Sequence, residues 1–195
     1  PLGVNVSLLL AIKPTLVDKV LPKSLTTDIV LVVAGAALTA VAAQAQIPAQ
    51  PVPFTFQTLA VLLTGAALGS TRGALSLALY ALAGLALPVY SGASQGAAVL
   101  FGATGGYIFG FIAAAYVVGL LAERKWSSNV LKMFVAYAVG SLVIYGFGVP
   151  VLAAVAFKGD MGLGIQYGLV PFLIWDAVKA AVAAGLLPSH SGVHT

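Results

Sequence analysis

The charged residues of this chain are few and lie between long apolar runs, and this pattern limits the fold more than any other feature. Only 7% of the 195 residues are charged, whereas 61% are hydrophobic. Soluble domains carry about 25% charged residues, so this chain has too few charges to cover a water-facing surface. The composition excludes a soluble enzyme and a disordered protein, and it indicates a protein that spans a membrane.

The apolar runs predict an all-α, polytopic membrane protein with six transmembrane helices. A helix needs about 20 residues to cross a bilayer, and six such helices fit within this length. The predicted spans are residues 28–47, 54–70, 73–90, 97–122, 130–157 and 165–187. We expect residues 1–27 to form a cytoplasmic or interfacial segment, residues 28–187 to form one six-helix transmembrane domain, and residues 188–195 to form a polar tail.

The positions of the positive charges predict which ends of the spans face the cytoplasm. With the N-terminus inside, the outer loops carry only Lys158. The inner segments carry Lys13, Lys19, Lys23, Arg72, Arg124, Lys125 and Lys132. Cytoplasmic loops carry an excess of Lys and Arg, so we expect both termini to be cytoplasmic. The loops at 47–53, 88–96 and 158–164 then lie outside, and a site built from them would face outward.

Two charged residues, Asp176 and Lys179, lie inside the last apolar span. Each charge near a bilayer centre costs about 2.5–3.5 kcal/mol on insertion scales. A spacing of three residues places both on one helical face, so they can pair. Such a pair could serve only helix packing, but intramembrane charges generally mark function. We interpret them as ligand-binding: Lys179 could bind a carboxylate, and Asp176 could accept hydrogen bonds from N–H groups.

Three more polar side chains lie near the predicted outer ends of the spans. Gln57 brings two donors and an acceptor to the start of the second span. Tyr90 and Gln95 lie in the loop between the third and fourth spans. Tyrosines at this depth are often interfacial anchors, so contact with a ligand is one of two interpretations for Tyr90.

The fourth span opens with a glycine-rich run that contains Thr104 and Tyr107. Gly102, Gly106 and Gly110 recur every fourth residue, a spacing that lets two helix backbones pack closely. The polar groups of Thr104 and Tyr107 need partners in a dry setting. We therefore treat these two side chains as candidate ligand contacts and the glycines as a packing seam.

Ala36 and Ala40 form a small-residue stripe on the first span. Such a stripe can pack inside the chain or can receive a helix of another membrane subunit. The sequence leaves both interpretations open.

Several chemistries have no residues to support them. The chain has no cysteine, and its two histidines, His190 and His194, lie in the polar tail. It contains no G-x-x-x-x-G-K-[ST] phosphate loop, so it cannot hydrolyse ATP by that route. We expect no catalysis, no metal, no cofactor and no nucleic-acid partner; membrane lipid is the expected surrounding.

An ordered set of motifs resembles the BioY family. The motifs are QIP at 46–48, PVPFTFQT at 51–58, GLALPVY at 84–90, ATGGY at 103–107, and PF at 171–172 followed by Asp176 and Lys179. The resemblance covers about residues 28–187. The chain departs from the usual family pattern at Ala103, where a proline is common.

BioY proteins are the biotin-binding S components of energy-coupling factor (ECF) transporters. The resemblance therefore implies six helices with both ends cytoplasmic, and capture of biotin from outside the cell membrane. It implies that Asp176 and Lys179 bind biotin, and that a transmembrane T component and two ATPase subunits drive uptake. It also implies that the first span, with Ala36 and Ala40, docks the T component.

Three rival functions remain open at this stage. The chain could be an S component for another vitamin. It could be a proton-coupled secondary carrier that uses Asp176 as its proton site, or a membrane scaffold without a ligand.

Overall fold

The computed structural model describes residues 24–47, 54–125 and 129–186, together with Thr15, Val17 and Leu21. The side chains of Phe54 and of residues 179–186 are outside this description. The elements in chain order are α1 (Leu25–Gln44), β1 (Gln46–Ile47), β2 (Phe54–Thr55), α2 (Gln57–Leu68), α3 (Ser70–Ala83), α4 (Ala97–Leu100), α5 (Gly105–Glu123), α6 (Val130–Ala156), α7 (Met161–Gly168) and α8 (Val170–Leu186). The predicted tail at 188–195, the loop residues 48–53, and Lys13, Lys19 and Lys23 lie outside the described residues.

Four stretches of the described chain are long and apolar enough to cross a membrane. They are α1, α5, α6 and the stretch Met161–Val178. The second and third predicted spans are shorter than expected, since α2 has 12 residues and α3 has 14. Large apolar side chains cover the outside of α1, where Val41 is 69% exposed. The predicted all-helical membrane architecture is thus confirmed in outline.

A short antiparallel ladder flanks the predicted outer loop at 47–53, at residues that were predicted as the end of the first span and the start of the second. Gln46 pairs with Thr55, and Ile47 pairs with Phe54. Prolines prevent a continuous helix through this region, and β-branched and aromatic residues at its ends suit a strand. The ladder places Gln46 and Thr55 side by side at one end of the helix bundle.

A single glycine, Gly69, separates α2 from α3, so the break between the predicted spans 54–70 and 73–90 lies slightly earlier than predicted. Gly69 has a φ of +93°, a conformation that glycine adopts without a steric penalty. The helix α3 therefore begins at Ser70, whose backbone N–H and hydroxyl both donate to Glu123 Oε1, at 2.9 and 2.7 Å. These bonds tie the α2–α3 turn to the end of α5.

Arg72 lies in the first turn of α3 and is buried, whereas the sequence had placed it in a cytoplasmic loop. Its guanidinium donates to Asp28 Oδ1 at 3.2 Å, to the Leu68 carbonyl at 2.7 Å, and to Thr15 Oγ1 at 3.0 Å. Arg72 is 2% exposed and Asp28 is 3% exposed. This buried ion pair joins the start of α1 to the α2–α3 turn.

Two glycines let α5 lie directly against α6. A Cβ on Gly106 would lie 2.5 Å from the Phe147 carbonyl oxygen, and one on Gly110 would lie 3.0 Å from Ile144 Cα. The packing seam predicted from the glycine spacing is therefore confirmed at these two positions. The helix α5 also contacts α2 and α3, so it occupies the centre of the bundle.

Turns interrupt two of the predicted spans. The span at 97–122 divides into α4 and α5, because the glycine-rich run between them favours a turn. The span at 165–187 divides between α7 and α8, where Pro171 has no N–H to continue the α7 hydrogen-bond pattern. The helix α7 begins earlier than predicted because the Asp160 side chain caps it by accepting from the Leu163 N–H. The span predicted at 130–157 corresponds to α6.

We predict that Arg72→Met lowers the stability of the folded protein by about 3–5 kcal/mol, the range for removing one partner of a buried ion pair. The loss arises because Asp28 would stay buried without its counter-charge. Thermal denaturation in detergent measures the effect. Arg124→Met, which changes an exposed arginine, serves as the control. Equal denaturation midpoints for the two variants would contradict the structural role of the pair.

Candidate functional site

A cavity of about 400 Å³ lies at the end of the bundle that carries the β-ladder, the 3-10 turn Ser91–Ala93 and the start of α5. Its volume falls within the range of about 300–1,000 Å³ that is usual for small-molecule sites. Its aromatic lining residues are Tyr80, Tyr90, Tyr107, Phe111, Tyr145 and Phe172, and its polar ones are Gln46, Thr55, Gln57, Thr58, Ser91, Ser94 and Thr104. An aromatic wall with a few polar groups suits a small ligand that has both apolar and polar parts.

Gln57, a predicted site residue, lines the cavity and is 3% exposed. It is the first residue of α2, and its backbone N–H donates to Thr55 Oγ1 at 3.1 Å. Its side chain lies beside the Tyr80 hydroxyl, but within the described structure its Nε2 has no hydrogen-bond partner of normal geometry. A buried polar group without a partner costs about 1–3 kcal/mol, so a ligand that supplied an acceptor here would gain affinity.

Tyr90 also lines the cavity, but its hydroxyl is already used within the protein. The hydroxyl donates to the Ala81 carbonyl oxygen, and the Tyr90 ring packs edge-on against Tyr80 at 5.7 Å. Burial raises the pKa of the Tyr90 hydroxyl above its ordinary value, so it remains a neutral donor. The Tyr90 hydroxyl therefore has no hydrogen left to donate to a ligand, and the residue forms part of the cavity wall.

Gln44, at the last turn of α1, holds the loop that carries Tyr90. Its Nε2 donates to the Tyr90 carbonyl at 2.9 Å, and its Oε1 accepts from the Ala93 N–H at 2.8 Å. The sequence analysis missed this residue, although an amide at the end of an apolar span is a detectable signal. Gln95, which was predicted as a contact, is exposed and does not line the cavity in the described structure.

Thr104 and Tyr107, the two candidate ligand contacts of the glycine-rich run, both line the cavity. Thr104 precedes α5, and its side chain makes no capping hydrogen bond to that helix. The Tyr107 hydroxyl donates to the Gly168 carbonyl at 2.7 Å, so it holds the end of α7 while the ring faces the cavity.

Asp176 is connected to the cavity by a hydrogen bond from Tyr145, a residue that lines it. It is half-buried on α8 and accepts a hydrogen bond from the Tyr145 hydroxyl. Tyr145, which the sequence analysis missed, lines the cavity, whereas Asp176 is not among the lining residues described. Lys179 lies on α8 one turn further on, and its side chain is outside the described residues.

Comparison with known proteins gives a consistent result. The family model described as "BioY family" matches residues 13–193. The chain belongs to the BioY family. It is 45% identical over 150 residues to the biotin transporter BioY of Thermotoga maritima, an alignment that covers 76% of this chain and 86% of the relative. It is 35% identical to the probable biotin transporter BioY of Pyrococcus horikoshii, covering 80% and 91%.

A solved structure shares the fold of this BioY protein. It is the crystal structure of the S-component for biotin from an ECF-type ABC transporter, with a TM-score of 0.71 at 22% identity, covering 80% of this chain and 86% of that one. Membership of the BioY family places the chain among transporters and agrees with the four stretches of the described residues that are long and apolar enough to cross a membrane.

In this BioY protein a tryptophan joins the last helix to the β-ladder. Trp175 Nε1 donates to the Thr55 carbonyl at 3.1 Å, and the Trp175 and Phe56 rings meet edge-on at 5.3 Å. Since Thr55 lines the cavity, Trp175 fixes the distance between two of its walls. No local pattern in the sequence pointed to this contact between residues so far apart along the chain.

The two alanines predicted to face a partner lie against the protein's own helices. Ala36 is 9% exposed and belongs to the buried core, and Ala40 is half-buried against that core. The neighbouring Gly35 lies so close to α3 that a Cβ there would be 2.5 Å from Ser76 Oγ. This placement favours internal packing, one of the two interpretations that the spacing allowed.

We predict that Gln44→Leu speeds hydrogen exchange at the Ala93 amide by roughly two- to tenfold, because the loop loses net hydrogen-bond energy of about 0.5–1.5 kcal/mol. Exchange measured by mass spectrometry on peptides that cover 88–96 tests this. Gln166→Leu, which changes an exposed glutamine of α7, is the matched control. Unchanged exchange in the Gln44 variant would show that the loop is held by other contacts.

Proposed function

We propose that this chain captures biotin at the outer face of the cell membrane as the S component of an ECF-type transporter. The observation that carries the proposal is the cavity of about 400 Å³, lined by aromatic rings and a few polar groups, in a member of the BioY family. Biotin has an apolar bicyclic ring, a polar ureido edge and a carboxylate tail. A cavity with this mixture of surfaces matches such a molecule.

We further propose six membrane spans within residues 28–187, with both termini cytoplasmic. The helices α2 and α3 would supply the second and third spans. Two observations support this orientation. The charged contacts of Asp28, Arg72 and Glu123 lie at one end of the bundle, near the basic residue Arg124, and basic residues favour the cytoplasm. The cavity lies at the opposite end, beside the predicted outer loops.

Within the cavity we assign the two polar ends of biotin to different groups. Lys179 binds the carboxylate, and Asp176 acts with Tyr145 as the acceptor for an ureido N–H. Gln57 supplies a further hydrogen bond from its buried amide. The remaining candidates shape the site: Tyr90, Tyr107 and Thr104 form its wall, and Gln95 lies at its exposed edge.

Transport against a gradient requires an energy source, and this sequence contains no G-x-x-x-x-G-K-[ST] phosphate loop with which to hydrolyse ATP. We propose that a T component and two ATPase subunits supply this energy. If the T component docks on α1, the contact has to involve the exposed face with Val30, Val33 and Val41. Ala40 would then lie at the edge of the contact and Ala36 beneath it.

We predict that Lys179→Met weakens biotin binding by about 1.5–3 kcal/mol, the range for a hydrogen bond to a charged group, which is about tenfold or more in Kd. Methionine keeps the length of the side chain but removes its charge. Isothermal titration calorimetry of the detergent-solubilised protein measures the change. Lys132→Met, at an exposed position near the start of α6, controls for net charge. Unaltered affinity in the Lys179 variant would remove the carboxylate assignment.

We also predict that the purified chain in liposomes binds biotin in preference to other vitamins and does not accumulate it. Binding requires only the cavity, whereas accumulation requires ATP hydrolysis by the partner subunits. Radiolabelled vitamins, with and without a pH gradient, test both statements. Accumulation driven by the pH gradient alone would instead favour a proton-coupled carrier that uses Asp176. Preferential binding of another vitamin would change the substrate but not the family.

A further inference from the structure

Tyr145 and Asp176 form a pair in which the tyrosine, not the carboxylate, lies at the cavity surface. Tyr145 is on α6 and lines the cavity. Its hydroxyl donates to Asp176 Oδ2 on α8. Asp176 is absent from the lining residues that the structure describes. The Tyr145 hydroxyl therefore links a lining residue of the cavity to the Asp176 carboxylate on α8.

A hydroxyl that donates a hydrogen bond to a carboxylate becomes a better hydrogen-bond acceptor. The oxygen keeps two lone pairs after its hydrogen is engaged, and linked hydrogen bonds polarise one another in a medium of low dielectric constant. Two other tyrosines of the cavity differ in this respect: Tyr90 and Tyr107 donate to main-chain carbonyls, which carry no net charge. Among these three hydroxyls, that of Tyr145 is the strongest acceptor for an N–H group.

Aromatic packing holds the Tyr145 ring in place. The Phe172 ring lies 6.4 Å from the Tyr145 ring and 6.3 Å from the Tyr107 ring. Phe172 precedes Asp176 by one helical turn on α8, so one helix supplies both the ring that packs against Tyr145 and the carboxylate that accepts from it. An acceptor held in this way loses little conformational freedom when a ligand binds.

We infer that Tyr145 is the group that contacts the ligand N–H, and that Asp176 is a positioning residue that acts through the Tyr145 hydroxyl. The hydrogen-bond chain runs from the ligand N–H to Tyr145 Oη, and from the Tyr145 hydroxyl to Asp176 Oδ2. This inference rests on the proposed function, since it assigns the ureido N–H of biotin to this acceptor. Under this inference, a residue of α6, Tyr145, makes the cavity select ligands that carry an N–H group.

Tyr145→Phe tests the inference because it removes the hydroxyl and keeps the ring. We expect the Kd for biotin to rise about tenfold or more, and Asp176→Asn to have a similar effect. The Tyr145→Phe, Asp176→Asn double variant should bind no more weakly than either single variant, since both changes break one chain. A biotin analogue methylated on both ureido nitrogens has no N–H to donate, so it should bind the wild-type protein weakly. Its affinity for the Tyr145→Phe variant should be the same as its affinity for wild type.

Tyr137→Phe is the matched control. Tyr137 lies on the same helix and donates to the Leu59 carbonyl at 3.3 Å, but it does not line this cavity in the described structure. Loss of the Tyr137 hydroxyl should leave the ratio between the affinities for biotin and for the methylated analogue unchanged. If Tyr145→Phe does not fold, Asp176→Asn carries the same comparison of the two ligands.

The outcomes separate this inference from the proposed function. If wild type binds biotin but Tyr145→Phe leaves its affinity unchanged, the inference fails and the biotin site stands. Equal losses for biotin and the methylated analogue, or additive effects in the double variant, overturn it as well, because a purely structural role would produce them. If wild type does not bind biotin, the proposed function fails and the inference fails with it.

Discussion

A charged side chain inside an apolar bundle must have a partner, and the pairs that meet this need determine how the helices of this protein meet. Arg72 contacts Asp28 of α1, the Leu68 carbonyl at the end of α2, and Thr15. Glu123 then connects α5 to the same turn through Ser70. Because an unpaired buried charge is very costly, these contacts fix one end of the bundle.

Among the described residues, hydrogen bonds to main-chain groups hold the opposite end of the bundle. Tyr90, Tyr107 and Trp175 each donate to a carbonyl oxygen of another segment. Because these donors are engaged within the protein, they are not available to donate to a ligand. What remains for recognition is therefore a small set, in which the buried amide of Gln57 and the Tyr145–Asp176 pair are the most distinctive. The selectivity of the cavity follows from which donors the fold has already used.

Local signals in the sequence predicted the helices well, and long-range contacts explain what they missed. The span at 130–157 corresponds closely to α6 (Val130–Ala156), because an apolar run of that length allows few alternatives. The burial of Arg72 depends on Asp28, 44 residues away in the sequence, and no local pattern encodes that contact. Asp176 could be identified because a charge within an apolar span is rare. Tyr145 could not, because a tyrosine in an apolar span is equally expected as an interfacial anchor.

The helix α1 connects the two ends of the molecule, and this limits how it can take part in transport. Near its start, Asp28 binds Arg72; at its last turn, Gln44 binds the loop that carries Tyr90. One face of α1 packs on α3, while the opposite face exposes apolar side chains such as Val41. A partner on the exposed face would therefore contact the helix that anchors the cavity loop. Any shift of α1 along α3 would have to break the Asp28–Arg72 ion pair, the Gln44 hydrogen bonds, or both, so these contacts at its two ends hold α1 in place.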